Sequence, residues 1–374
     1  MRASRAAAAI TIVCATLAAA GCAASSANML TLPPETPFVL TEVTGVEPLG
    51  QVTGADAASA TDKYAVHGTD LGSMFQHDGK TWFVFGDTFG ERPPGFTGGG
   101  GSFWRSNTMG YTTDTDPSDG ITLDGMILDE FGAAAELLPS KKVDNDEMTV
   151  IPTHGFAANG AMYLHWMSVR HWGDPGEWEV NDAGLAKSTD DGQSWKVLDE
   201  PRWDGESQFV QVSPAPISEG GTDWTYFWGI THGRFGGASV MKVETSELER
   251  QDAYHYFTGT DAEGRPKWGD SVDEAAIVVD DTVGELSVVW NEYLDRWIMT
   301  YLREGTGVVM REGITPWGPW GEPLDVVPAA DLPGLYAPYM APHYTDDGGK
   351  TIYFALSVWD PYNVFWYKAE LSKD

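Results

Sequence analysis

Cysteine is almost absent from this sequence. The 374 residues include only Cys14 and Cys22, and both lie within or directly beside an N-terminal apolar segment. The rest of the chain therefore has no disulfide, no cysteine-ligated metal site and no thiol nucleophile. A domain without disulfides must be stabilised by a large core, and the roughly 350 residues that follow are enough to form one.

Basic residues are also scarce, with 23 Lys and Arg against 55 Asp and Glu, a formal net charge of −32. Such a surface repels nucleic acid and anionic membranes at long range, so we expect neither as a partner. The sequence contains no nucleophile-elbow motif, phosphate loop or dinucleotide fingerprint. Its histidines do not have metal-ligand spacing. We therefore expect no metal site and no required cofactor.

The N-terminus has the features of an export signal. Basic residues precede an Ala-rich apolar run over residues 6–20, which ends just before Cys22. We predict a secretory signal peptide at 1–21, with Cys22 resembling the lipidated residue of a bacterial lipoprotein; ordinary cleavage nearby is the alternative. Residues 22–38 are small, polar and Pro-containing, which predicts a flexible tether. We expect an extracellular or cell-surface bacterial lipoprotein, attached to a membrane only through this anchor.

Five aromatic-rich segments recur along the remaining chain, each after a strand-like segment and a Gly- or Asp-bearing turn. They are Thr81–Asp87, Met162–Ser168, Trp224–Ile230, Arg296–Leu302 and Thr351–Ser357. A unit repeating every ~55–80 residues has the length of a four-stranded blade with loops. The sequence therefore predicts an all-β fold, a five-bladed β-propeller over 39–374, and we expect a monomer. Either segment 39–52 pairs with the last unit, or strand 364–370 completes it alone.

Turn-forming residues separate the two strands of these hairpins. Residues 78–79, 159–160 and 347–349 supply the Asp, Asn and Gly that adopt positive φ in short hairpin turns. Residues 188–195 match the Ser-x-Asp-x-Gly-x-x-Trp "Asp box" of propeller blades, in which the Asp side chain hydrogen-bonds its own backbone. We interpret the Asp box as structural and predict no catalytic role for it.

An antiparallel hairpin places the start of its first strand beside the end of its second. In a propeller this rule gathers residues from every blade onto one face around the channel. Asp70 and Asp87 form the sharpest such pair, since both lie at ends of apolar strands beside glycines. Two carboxylates held close in a partly dry site take different protonation states, as a general acid and a base or nucleophile do. We predict that both are catalytic, with loop capping or cation binding as alternatives.

Further residues are expected on the same face. Asp360 occupies the equivalent position in the last unit, and we predict it as a third catalytic carboxylate. The rule also places Arg234, Glu285 and Tyr336 there. The predicted substrate-binding residues are Glu147, His154, Arg170, His232, Asn291, Tyr339, Trp359 and Asn363. An ordinary loop role is the alternative for Glu147, and a core role for the histidines. The chain has 16 Trp, 14 Tyr and 15 Phe residues, and such a high aromatic content on a propeller favours the presence of platforms that stack against sugars.

Five short motifs resemble a known bacterial family, called domain of unknown function 4185, over roughly Tyr64 to Glu370. They are GTDLG (68–72), FGDTF (85–89), IPT (151–153), NEY (291–293) and SVWDPYN (357–363). Members have been grouped as endo-D-arabinanases, glycoside hydrolase family 183, which cut α-linked D-arabinofuranose chains of mycobacterial arabinogalactan and lipoarabinomannan. The resemblance implies a five-bladed propeller, a catalytic pair at Asp70 and Asp87, and Asp360 as a further acidic site residue.

Three functions are compatible with this sequence. The first is a secreted or surface-tethered endo-acting D-arabinan hydrolase, and the second is a different glycosidase on the same scaffold. The third is a non-catalytic carbohydrate-binding propeller, which would not require the Asp pair. A sialidase is disfavoured because it needs a constellation of arginines that this sequence lacks. The choice between retention and inversion stays open, since it depends on the separation of the carboxylates.

Overall fold

The computed structural model describes residues 36–374, which form five antiparallel sheets arranged as a five-bladed β-propeller. The predicted all-β propeller is therefore confirmed. The predicted signal peptide, Cys22 and most of the predicted tether lie outside the described residues. Between residues 36 and 374, no helix has the length and apolar character needed to cross a membrane.

The strands run in chain order through the first three blades, after β1 (Leu40–Gln51). The first blade contains β2 (Leu71–His77), β3 (Lys80–Phe85), β4 (Thr108–Thr112) and β5 (Gly125–Met126). The second contains β6 (Thr149–Ala158), β7 (Ala161–Trp172), β8 (Trp178–Ser188) and β9 (Lys196–Asp204). The third contains β10 (Gln211–Glu219), β11 (Thr222–Ile230), β12 (Ala238–Glu244), β13 (His255–Thr260) and β14 (Pro266–Gly269), with β15 (Ile277–Val279) paired to β12.

The last two blades complete the ring. The fourth contains β16 (Val283–Asn291), β17 (Arg296–Arg303), β18 (Gly307–Gly313) and β19 (Leu324–Pro328). The fifth contains β20 (Leu335–Asp346), β21 (Thr351–Val358), β22 (Asn363–Lys373) and β1. Short 3₁₀ turns occupy Thr61–Tyr64, Pro117–Asp119, Thr245–Glu247, Gln251–Ala253, Val272–Glu274 and Asp347–Gly349.

The five aromatic segments form the second strands β3, β7, β11, β17 and β21, and their side chains fill the spaces between blades. Trp228 of the third blade and Trp297 of the fourth are fully buried, with ring centroids 5.0 Å apart. Phe83 of the first blade meets Trp366 of the fifth at 6.4 Å. Large aromatic side chains suit these interfaces because each buries about 150–250 Å².

The predicted turns have the expected backbone. Asp78 and Gly79 have φ values of 47° and 74°, and Asn159 and Gly160 have 52° and 69°, as tight two-residue hairpin turns require. In the Asp box between β8 and β9, the Ser194 amide donates to Asp190 Oδ1 at 2.9 Å. This is the local side-chain-to-backbone bond that the motif predicts.

The N-terminal strand closes the propeller. β1 pairs antiparallel with β22 from Leu40 opposite Lys373 to Gln51 opposite Phe365, so β22 does not complete the last blade alone. Glu312 of β18 holds the start of β1, accepting hydrogen bonds from the amides of Val39 at 2.8 Å and Leu40 at 2.7 Å. The Glu312 carboxylate also pairs with Arg296 at 2.9 Å, and both side chains are buried. Blade four therefore secures the strand that completes blade five.

Replacing Glu312 with Ala should destabilise the protein. The substitution leaves the buried Arg296 charge without its partner and two amides without their acceptor. Loss of one partner from a buried ion pair costs about 3–5 kcal/mol. Urea unfolding should show this loss, whereas the matched Glu322→Ala, at an exposed position nearby, should change the unfolding free energy little. Equal effects of the two substitutions would contradict the closure role of Glu312.

Candidate active site

The hairpin of the first blade brings Asp70 and Asp87 together. Asp70 directly precedes β2 and Asp87 follows β3, and the Gly86 amide donates to the Asp70 carbonyl at 3.1 Å. A Cβ at Gly86 would lie only 2.4 Å from Asp70 Oδ1. The absence of a side chain at Gly86 therefore allows the Asp70 carboxylate to lie against this backbone.

Asp70 is held in a position that disfavours its charge. Its Oδ2 accepts a hydrogen bond from the Tyr336 hydroxyl at 2.8 Å, and Tyr362 is a second donor. Its Oδ1 is buried and has no hydrogen-bond partner within residues 36–374. Burial, followed by repulsion from the Asp87 charge, raises the pKa of Asp70 to about 7 despite both tyrosine donors.

Asp87 is 8% exposed and receives its hydrogen bonds on one oxygen. Thr149 Oγ1 and Trp104 Nε1 donate to Asp87 Oδ1 at 2.6 Å and 2.7 Å. Burial raises the pKa of Asp87 to about 7, although these donors and the Lys142 ammonium favour the ionised form. With the pKa of each group at about 7, both carboxyl groups are partly protonated near neutral pH.

A third buried carboxylate, Glu285 at the start of β16, lies close to this pair. Arg234 neutralises it through a two-pronged contact, with Nη2 at 2.8 Å from Oε1 and Nε at 3.2 Å from both oxygens. The Arg234 guanidinium also lies 5.2 Å from the ring of Tyr336, the residue that donates to Asp70. The charge of Glu285 still acts on Asp70, raising its pKa slightly further.

Two predicted substrate-binding residues are buried near the carboxylates. Tyr339 is buried, donates to the Thr153 carbonyl at 3.3 Å, and is near enough for the Glu285 and Asp70 charges to raise its pKa in addition to burial. His154 packs edge-on against Tyr339 at 5.7 Å, and burial lowers the pKa of His154 to about 4. The imidazole is therefore neutral near pH 7.

The loop after β21 carries three further predicted residues. Trp359 is 53% exposed and packs edge-on against Tyr362 at 5.6 Å. Asn363 is buried, and its Oδ1 accepts from Thr53 Oγ1 at 3.0 Å. Asp360 is exposed at the tip of this turn, where its charge acts on Arg92. Only four residues separate β21 from β22, so Asp360 lies at an exposed turn, and no contact joins it to Asp70 or Asp87 within residues 36–374.

The remaining predicted residues of the second blade have structural partners. Glu147 accepts hydrogen bonds from Ser168 Oγ at 3.0 Å and from the Lys141 amide at 3.1 Å. Arg170 is exposed and forms an ion pair with Glu179. Glu147 thus supports the segment before β6, and Arg170 joins β7 to β8; among residues 36–374 neither contacts Asp70 or Asp87.

Two predicted residues are engaged by backbone groups elsewhere. His232 is half-buried, with Nδ1 2.8 Å from the Trp178 carbonyl. Asn291 donates to the Gly349 carbonyl at 2.8 Å and accepts from the Leu294 amide at 2.9 Å. Asn291 ends the first strand of its hairpin and lies on the opposite face, so the structure does not bring it to the site.

Sequence reasoning missed several residues that contact the carboxylates. Thr149 starts the first strand of its blade, so the hairpin rule could have identified it. Tyr362 belongs to the SVWDPYN motif but was not selected. Trp104 lies in the long Gly-rich loop between β3 and β4, where no periodic pattern predicts the direction of a side chain.

One cluster within the described residues has the donors for a metal ion. Ligand atoms of His77, Asp78 and Asp191 lie within 4.8 Å of one another, and both carboxylates are exposed. The cluster joins the β2–β3 turn to the Asp box, on the face opposite the carboxylate pair. It therefore plays no part in the chemistry considered below.

Comparison with known proteins identifies the family. The chain belongs to the family described as domain of unknown function (DUF4185), whose sequence profile matches residues 56–368. No curated protein matches the sequence.

Solved structures share the fold at low sequence identity. A candidate hydrolase from Bacteroides ovatus is 14% identical with a TM-score of 0.53, over 91% of this chain and 97% of that one. The GH43_1 enzyme from Xanthomonas citri complexed with xylose is 13% identical with a TM-score of 0.47, over 87% and 89%. A family 117 glycoside hydrolase from Zobellia galactanivorans is 13% identical with a TM-score of 0.47, over 90% and 91%.

The raised pKa values predict a pH-dependent stability. Folding raises the pKa of Asp70 and Asp87 from 3.8 to about 7, so the folded state binds protons more tightly than the unfolded state. The contribution of these two carboxyl groups to the free energy of unfolding is fully present below about pH 4 and is lost as the pH rises through about 7. Asp70→Asn and Asp87→Asn should each be more stable than wild type at pH 8, with a flatter pH profile.

Urea unfolding between pH 4 and pH 8 tests this expectation. Asp78→Asn is a suitable control because its carboxylate is exposed on the opposite face. Parallel pH profiles for wild type and both buried-site variants would show that neither carboxylate resists ionisation in the fold.

Gly86→Ala should impair the site without unfolding the protein. The new Cβ would displace the Asp70 carboxylate, and misplacing a reacting group by about 1 Å can cost on the order of a hundredfold in rate. In an Asp70→Ala background the same substitution should cause little further loss of the activity that is assayed as described under Proposed function. An equal loss in both backgrounds would show that Gly86 acts independently of Asp70.

Proposed function

We propose that this protein is a glycoside hydrolase that cleaves internal α-D-arabinofuranosyl linkages of a polysaccharide, outside the cell or at its surface. The observation that carries this proposal is the pair of neighbouring carboxylates in the first-blade hairpin, the half-buried Asp70 and the buried Asp87, each with a pKa raised to about 7. The family membership supports the same function, since the motifs that surround these two residues are those of the family.

The chemistry follows from the raised pKa values of the two carboxyl groups. With the pKa of each group near 7, the pair offers one acid and one carboxylate at neutral pH. The protonated member can donate to the departing glycosidic oxygen, while the ionised member activates water or attacks the anomeric carbon. Because these two groups supply both functions, we propose a reaction without a cofactor.

The electrostatics of the site favour a neutral substrate. Arg234 is bound to Glu285, and Arg92 donates to the carbonyls of Pro361 and Gly98. Neither guanidinium belongs to a free cationic cluster of the type that an acidic sugar requires. The surplus negative charge around Asp70 would stabilise the positive charge that develops on the sugar ring in the transition state.

Purified mycobacterial arabinogalactan is the substrate that tests the proposal. We expect wild type to release a series of oligosaccharides, resolved by chromatography, and Asp70→Asn and Asp87→Asn to lower the rate at least about a hundredfold. The matched control Asp78→Asn should retain wild-type activity. Folded wild-type protein that releases no oligosaccharide would contradict the proposal.

The same assay distinguishes the alternative functions. Release from α-L-arabinan or xylan, but not from D-arabinan, would indicate another glycosidase on this scaffold. Binding of D-arabinan with no release by wild type would indicate a carbohydrate-binding propeller.

A further inference from the structure

A cavity of about 210 Å³ lies on the site face, where the last blade meets the first. It is open to solvent and is bordered by the end of β1, the segment before β2, the loop after β3 and the β21–β22 turn. Its lining includes Gln51, Asp56, His67, Arg92, Phe96 and Asn363. This volume far exceeds the ~30 Å³ that a water molecule occupies in the liquid, so the cavity has room for a sugar unit.

Arg92 connects this cavity to the carboxylate pair. Its guanidinium lies 5.8 Å from the ring of Tyr362, which in turn donates to Asp70. The Thr69 amide, beside Asp70, donates to the Tyr362 carbonyl at 2.9 Å. Tyr362 is buried, so Asp70 and the cavity are linked through the packed side chains of Tyr362 and Arg92, along the boundary between two blades.

Exposed aromatic side chains lie along this boundary between the blades. Trp359 is 53% exposed and Phe96 is 41% exposed. The Trp359 indole is supported from behind by the backbone of Gly98, where a Cβ would lie 2.5 Å from the ring. Such a rigid, partly exposed aromatic surface is suited to packing against the apolar face of a sugar.

The polar lining offers hydrogen bonds in both directions. Arg92 Nε is buried with no hydrogen-bond partner in the part of the chain that the structure describes. The His67 ring and the Asp56 carboxylate add further polar groups, and the nearby Asp360 carboxylate offsets the charge of Arg92. A neutral ligand with several hydroxyl groups matches this set, because a hydroxyl both donates and accepts.

We propose that this cavity is a distal glycosyl-binding subsite, which holds a furanose unit of the polysaccharide chain remote from the bond that is cleaved. The inference rests on the proposed function, and it adds a direction: the bound chain extends from Asp70 across the boundary between the last and first blades. Phe96 and His67 then determine how strongly long substrates bind, without contacting the reacting atoms.

Calorimetric titration of the Asp87→Asn protein with D-arabinofuranosyl oligosaccharides tests this subsite without cleavage. We expect an octasaccharide to bind about tenfold more tightly than a tetrasaccharide. Adding Phe96→Ala or His67→Ala should abolish that difference and leave the tetrasaccharide affinity unchanged. Phe131→Ala is the matched control, because Phe131 is 86% exposed on a loop that does not line the cavity.

The outcomes separate this inference from the proposed function. If wild type releases oligosaccharides but both lengths bind equally to Asp87→Asn, the distal subsite is wrong and the hydrolase function stands. If the length difference survives in both cavity variants, the longer chain binds elsewhere and the inference is overturned. If wild type releases nothing and neither oligosaccharide binds, both proposals fail together.

Discussion

The confinement of two carboxylates in one hairpin is the constraint on which the site depends. Asp70 precedes the first strand of a hairpin and Asp87 follows the second, at the same end of the strand pair, and the bond from the Gly86 amide to the Asp70 carbonyl holds their backbones together. Burial opposes the ionisation of both groups, and the charge of Asp87 opposes the ionisation of Asp70 further. Tyr336, Tyr362, Thr149 and Trp104 donate hydrogen bonds that offset this cost without removing it. The result is a pair that holds a proton near neutral pH.

The scaffold maintains this arrangement because each blade is packed against its neighbours by large aromatic side chains. The two residues that donate to Asp70 come from the last blade, whereas Thr149, which donates to Asp87, comes from the second. The site is therefore correctly formed only when the ring is closed. Closure depends on β1, which completes the fifth blade and is anchored by Glu312 of the fourth. Stability and function are linked through the same ring.

The chemistry is distributed unevenly around this regular scaffold. Blade one supplies both carboxylates, and blades three and four supply the Arg234–Glu285 pair, which adds a neutralised carboxylate beside Tyr336. Blade five supplies hydroxyl groups and the exposed Trp359. Arg92 ties the loop of the first blade to the turn of the fifth, so the carboxylate pair and the cavity lie along the same boundary between blades.

The sequence by itself determined the architecture and the Asp70–Asp87 pair, because strand alternation, turn residues and hairpin adjacency are local properties. The positions of Asp360 and Asn291 followed from features that periodicity does not encode. A four-residue turn leaves Asp360 at an exposed tip, and Asn291 ends the strand whose start faces the channel. The contact of Trp104 with Asp87, and closure by β1 rather than by β22 alone, were decided only by the tertiary structure. Both join segments that are distant in sequence or lie in irregular loops, where packing of the whole ring sets the direction of each side chain.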